Sequence, residues 1–143
     1  MNFNFLNDFL CSTPNDPRAE AIEVIPRAIY VPQHSDPASH RFAFGYEIRI
    51  INHGLQTVQL INRHWRIDMG NGCIQEVRGD GIVGEQPKIA PNAEHRYQSG
   101  SVIESPAGRM WGDYGFVDEQ GDAFKVAIPM FHLIAPSDYR PIH

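Results

Sequence analysis

The sequence predicts an all-β protein, a sandwich of seven to eight short strands. Three observations carry this. Apolar and polar residues alternate at period two in several runs, most clearly over 41–52. Clusters of Gly, Pro, Asn and Asp separate those runs. No segment carries a long apolar stripe at helical spacing. The 143 residues suit one domain with a core, and 42% hydrophobic residues is ordinary for a folded chain.

Residues 1–19 read as an N-terminal extension, and residues 20–143 as the domain. The extension is Asn-rich, with Phe5, Phe9 and Leu10 as one short apolar stripe. It ends in Ser12-Thr13-Pro14-Asn15-Asp16-Pro17, a breaker cluster. A short helix and no fixed structure both fit it. The first strand is expected over Ala21–Val31, with Ile22 and Val24 on one face. Pro26 removes a ladder donor, which predicts an edge strand or one with a break. A polar loop over Pro32–His40 follows.

In Arg41–Asn52, Phe42, Phe44, Tyr46, Ile48 and Ile50 share one face, which predicts a strand with one side buried. Asn52-His53-Gly54 turns the chain. In Thr57–Met69, Val58 and Leu60 have one parity; Ile61, Trp65, Ile67 and Met69 have the other. The slip at Leu60–Ile61 predicts a β-bulge. Gly70-Asn71-Gly72 is a hairpin turn, and Cys73–Arg78 returns. A short strand is expected over Glu94–Ser99 around Tyr97. Ser105-Pro106-Ala107-Gly108 reads as a turn, and Met110–Asp118 as a strand. After a polar loop at Asp118–Asp122 comes the last strand, Ala123–Ala135. There Phe124, Val126 and Ile128 alternate until Pro129 shifts the phase to Phe131 and Leu133. The tail from Pro136 reads as loose.

Composition narrows the function. Net charge is −5, and no Lys/Arg cluster exists. That argues against nucleic acid or an anionic membrane as partner, since both need a basic face. No apolar run reaches the length of a membrane span. The N-terminus lacks a basic region followed by an apolar core, so no signal peptide is expected. Cys11 and Cys73 read as free thiols rather than a disulfide. The expected location is cytoplasmic.

The stretch Val77–Pro87 contains Gly79-x-Gly81-x-x-Gly84, the spacing of a phosphate-cradling loop. Such a loop needs a helix directly after it, whose N-terminus faces the phosphate. Pro87 and Pro91 interrupt any helix there. The stretch therefore reads as a β loop needing positive φ or close backbone approach. The alternative is an anion nest of loop amides, serving a small-anion binding protein or an enzyme that takes pyrophosphate or a nucleotide.

Seven histidines (His34, His40, His53, His64, His95, His132 and His143) lack metal-ligand spacing. Asp118, Glu119 and Asp122 are at most a weak hard-cation site. No nucleophile motif is present, so no catalytic residue, metal ligand or cofactor is assigned. Arg63-His64-Trp65-Arg66 places Arg63 and Trp65 on one strand face. The two form core plus rim, or a binding hot spot if they face outward. The candidate surface is Arg63, Trp65, Gly79, Gly81, Gly84 and Gln86. An unidentified protein is the expected partner, with weak divalent-cation or phosphate-compound binding alongside.

Five strings share order and spacing with one family. They are Arg63-x-Trp65-x-Ile67; Val77-x-Gly79-x-Gly81-Ile82-Val83-Gly84-x-Gln86-Pro87; Tyr97-x-Ser99-Gly100; Pro106-x-Gly108-x-Met110-x-Gly112-x-Tyr114; and Ile128-Pro129-x-Phe131-x-Leu133. From about Ala21 to Pro136 the chain resembles the ApaG-domain family, whose bacterial members are also called CorD. Pro91-Asn92 replaces a common Pro-Gly, and Asn tolerates the positive φ that turn needs. Gln98 stands where Thr is usual. The resemblance implies a fibronectin type III-like sandwich and an association with cobalt resistance and magnesium efflux. It also implies protein binding, the expected role of similar domains in eukaryotic adaptors.

Overall fold

In a computed structural model of the protein, residues 16–136 are described. Cys11, His143, the Phe5–Leu10 stripe and the tail beyond Pro136 lie outside them. The chain forms the expected all-β sandwich of two antiparallel sheets.

A single helical turn, α1 (Pro17–Glu20), opens the described chain. Asp16 caps it, accepting from the Arg18 amide at 2.9 Å. Strand β1 (Ile22–Tyr30) pairs with β2 (Phe42–Asn52), and β2 pairs with β6 (Glu94–Ile103). The second sheet runs β4 (Ile74–Asp80), β3 (Val58–Asp68), β7 (Ala107–Val117), β8 (Ala123–Ile134). The two-residue β5 (Lys88–Ile89) pairs with the start of β3. Short 3₁₀ turns at Pro32–His34 and Pro37–Ser39 fill the loop before β2.

The parity of the sequence is the parity of the core. Phe42, Phe44, Tyr46, Ile48 and Ile50 are buried, as period two requires. β1 lies at a sheet edge, as Pro26 demands. The slip in β3 is a bulge: Leu60 faces Phe116 and Asn62 faces Gly115, leaving Ile61 unmatched. The slip in β8 is another, where Pro129 and Met130 together oppose Trp111. Asn92 holds φ +67, and the Ala93 amide closes the turn onto Ala90 at 3.0 Å.

Three boundaries differ from the expectation. β6 runs through Ser99-Gly100-Ser101 to Ile103, because pairing with β2 outweighs the turn-like composition. Ala107 and Gly108 belong to β7, opposite Ile134 and Leu133. β4 continues through Gly79 and Asp80, so the glycine stretch starts inside a strand.

The two sides of the sandwich are unlike. On one side β1 packs against β8. On the other, β4 and β6 face each other without comparable contact, and the sheets stay parted. Buried Asn52, 1% exposed, has every polar atom matched at one end of β2. Its Nδ2 donates to Gln56 and Ile89 carbonyls at 2.7 and 2.9 Å, and its Oδ1 accepts from the Gly54 amide.

Candidate functional site

The site is built on β3 at Ile61. That residue is unmatched on the β7 side, while its carbonyl points to the β4 side and continues the β3–β4 register. Here that oxygen accepts from the Gly81 amide at 2.7 Å and from Gln86 Nε2 at 2.9 Å. Gln59 Nε2 donates to the Gln86 carbonyl, and the Leu60 amide to Pro87. The glycine stretch is thus tied at both ends to the irregular part of β3.

Between the ties, residues 82–85 close a two-residue turn. Ile82 and Glu85 exchange both backbone hydrogen bonds, at 2.7 and 2.9 Å. Val83 and Gly84 occupy its centre with φ +47 and +78, the left-handed pair a tight hairpin turn requires. Gly81 is at φ +61, and a Cβ there would lie 2.1 Å from the Glu85 carbonyl oxygen. No helix follows, which removes the dinucleotide reading. The amides of Gly81, Ile82 and Glu85 already donate within the protein. An anion nest needs successive free amides, and within 81–85 only Val83 and Gly84, at the centre of the turn, donate to no acceptor among the described residues.

Arg63 joins the loop to the open side of the sandwich. Its Nη1 donates to the carbonyls of Asp80 and Gly81 at 3.0 and 2.9 Å. Its guanidinium covers Gly79, where a Cβ would meet it at 2.8 Å. Among the described arginines and lysines, Arg63 alone is partly buried without a carboxylate partner.

Beside it lies a cleft of about 180 Å³, lined by Arg63, Tyr46, Val77, Ser99, Ser101 and Met110 among others. Trp65 forms part of its floor but is only 3% exposed. It sits edge-on to Tyr46, Tyr114 and Phe131 with ring centroids 5.6–6.4 Å apart. The outward hot-spot reading of Trp65 is therefore corrected: it is core. The shared parity with Ile67, also buried, is the sequence signal that points inward.

A tyrosine group backs the cleft. The Tyr97 and Tyr114 hydroxyls hydrogen-bond each other. Burial pushes the hydroxyls of Tyr46, Tyr97 and Tyr114 above the ordinary phenol range; for Tyr46 a hydrogen bond with Ser99 and the charge of Arg63 oppose the shift. The sequence reading did not assign these tyrosines, Ser99 or Ser101 to a site. Only the packing of one sheet on the other brings residue 63 beside residues 97–101.

The remaining candidates go elsewhere. Arg66 pairs with Asp113 at 3.8 Å and Arg78 with Glu76 at 3.5 Å, so neither is free for the exposed Cys73. His53 and His64 each lie 2.7 Å from a carboxylate oxygen, of Glu23 and Glu76. Asp118 accepts from Arg18 and from the amides of Gln120 and Asp122, while Glu119 accepts from the Thr57 amide. These carboxylates brace a turn. Among the described residues no three His, Cys, Asp or Glu side chains gather to hold an ion. No helix among them is long and apolar enough to cross a membrane.

The ApaG-domain family model matches residues 32–118. The chain belongs to the ApaG-domain family. It is 49% identical over 111 residues to Protein ApaG of Enterobacter sp., spanning 78% of this chain and 89% of that one. It is 46% identical to Protein ApaG of Salmonella arizonae, over 86% and 96% of the two chains. The crystal structure of the putative ApaA protein from Bordetella pertussis superposes with a TM-score of 0.79. That protein is 42% identical, with 81% of this chain and 94% of that one covered. The glycine hairpin, the Ile61 bulge and most of the cleft lie within the matched span.

Proposed function

We propose that this ApaG-domain protein is a non-enzymatic binding module for another protein. Its binding surface is bordered by the β4–β6 cleft and by the glycine hairpin, from Arg63 through Gly79, Gly81, Gly84 and Gln86. The observation that carries this reading is Arg63, a half-buried cation held by two carbonyls and without an anionic partner among the described residues. Withdrawing a charge from water is unfavourable unless a partner completes it. A guanidinium fixed at one nitrogen keeps further donors in a planar fork, the geometry that recognises carboxylates.

The cleft's chemistry suits recognition better than proton transfer. Arginine stays charged, and burial favours the neutral tyrosines. Neither type is poised near neutral pH, as an acid–base catalyst must be. Under this reading, the family's association with cobalt resistance and magnesium efflux runs through a protein partner in the cytoplasm.

The test is affinity capture on the full chain beside an Arg63→Gln variant shown to be folded by its NMR spectrum. One reproducible partner, recovered by the wild type and depleted with the variant, is the expected result. Failure to recover any reproducible partner, together with turnover of a metabolite by the purified chain, would overturn the reading.

A further inference from the structure

The four sheet edges are guarded unequally. β1 and β8 each carry a mid-strand proline, Pro26 and Pro129, and they pack against each other. Proline lacks an amide and blocks pairing with another chain. β4 and β6 carry neither proline nor lysine. β6 is the longer of the two, ten residues against seven. Beyond its ladder to β2, residues 94–103 make no backbone hydrogen bond with the rest of the described chain. In an antiparallel ladder alternate residues of an edge strand turn their N–H and C=O outward. Those of β6 turn toward the parted side of the sandwich. The small residues Ser99, Gly100 and Ser101 line the approach, and Arg63 waits across the cleft.

Resting on the binding-module reading, we infer that the partner is an extended peptide segment with an acidic side chain. It adds as a strand to the free edge of β6, the mode known from other β-augmented domains. Backbone pairing with β6 supplies the attachment. Side chains of a strand point alternately to its two faces, so one row of the added strand enters the cleft. The carboxylate of that row meets the Arg63 guanidinium, and an apolar neighbour meets Val77. The acidic choice follows from charge, since Arg63 is the one partly buried cation among the described residues lacking a carboxylate. The glycine hairpin contributes by fixing Arg63.

The experiment selects displayed random peptides, matched to the ten residues of β6, on the full chain. The selected peptides are then synthesised in three forms: plain, and N-methylated at alternate amides in each of the two phases. Binding is followed by NMR titration and amide hydrogen exchange. The expected sequences carry Asp or Glu among β-branched residues, and the plain form protects amides within 94–103. One N-methylated phase should lose about tenfold or more in affinity while the other stays close to the plain form. That phase dependence is the signature of strand pairing, and it requires no protein variant.

Equal affinity in both phases, with shifts still at the cleft, would overturn the inference and leave the binding-module reading standing. Shifts confined to another surface would do the same. A concentration-dependent dimer protecting 94–103 without peptide would assign the edge to a second copy and overturn the peptide. Failure to select any saturable binder would count against the inference and the binding-module reading together.

Discussion

Val83 holds φ +47 at the centre of the 82–85 turn, with its side chain 63% exposed. A β-branched residue is poorly suited to the left-handed region, because its Cβ crowds the backbone. Nothing buried compensates at the tip. Val83→Asn should therefore raise stability by about 1 kcal/mol, since Asn accepts this conformation. Urea denaturation would read it as a higher midpoint at unchanged slope. A lower midpoint would mean that the valine side chain makes a stabilising contact outweighing its strain. The opposite case is Trp65, whose surroundings favour it throughout. Its replacement by Ala should cost about 3–5 kcal/mol through the cavity left among Tyr46, Tyr114 and Phe131. Calorimetric melting tests this. A loss under 1 kcal/mol would contradict the core assignment.

At the scale of elements, the Ile61 bulge and the glycine hairpin act as one device. The hairpin is anchored to the Ile61 carbonyl beside the bulge, and it then holds Arg63. Gly81 is its least replaceable residue. Gly81→Val would drive a Cβ against the Glu85 carbonyl and place a branched residue at positive φ. It should cost at least about 2 kcal/mol and free the Arg63 guanidinium. Thermal melting gives the first quantity, and side-chain NMR of Arg63 the second. A variant with wild-type stability and an unchanged Arg63 signal would show that the hairpin is not coupled to it.

Much of this device was legible in the sequence. The phase slip at Leu60–Ile61 announced the bulge, because a buried face punishes any break in period two. The paired prolines after Gly84 excluded a helix. The burial of Trp65 was harder to read. Alternation sorts residues into faces, and Arg63 on the same face suggested water. Ile67 on that face was the stronger signal. The β6 side of the cleft was hidden for another reason. Ser99-Gly100-Ser101 has the composition of a turn, and only its ladder with Phe44, Gly45 and Tyr46 makes it a strand.

For the whole molecule, the attachment of β6 to the sandwich depends partly on charge. Arg49 and Arg96 are direct cross-strand partners on β2 and β6, a repulsive placement. Glu94 bridges them. It accepts from Arg49 at 2.9 and 3.1 Å and from Arg96 at 3.0 and 3.1 Å. Those hydrogen bonds, with Arg49 first, lower its pKa from 4.5 to about 2. A carboxyl whose folded pKa lies below its unfolded value binds fewer protons when folded. Its stabilisation is complete above the unfolded value and is lost as pH falls toward the folded one. For Glu94 the window runs from 4.5 down to about 2. Asp68, held down by the Gly70 amide and then Arg109, adds to the loss in the same direction. In the Glu94→Gln variant the acid dependence should be shallower. The difference in melting temperature from wild type should be largest above pH 4.5 and shrink toward pH 2. Because the group is exposed, added salt should reduce the difference. Parallel melting curves across the window would show that Glu94 does not hold the strand. Hydrogen exchange adds the spatial reading. If the bridge secures the free edge, acid should raise exchange in 94–103 before it does so in β3 or β7. A uniform rise would place the acid sensitivity in the whole sandwich instead.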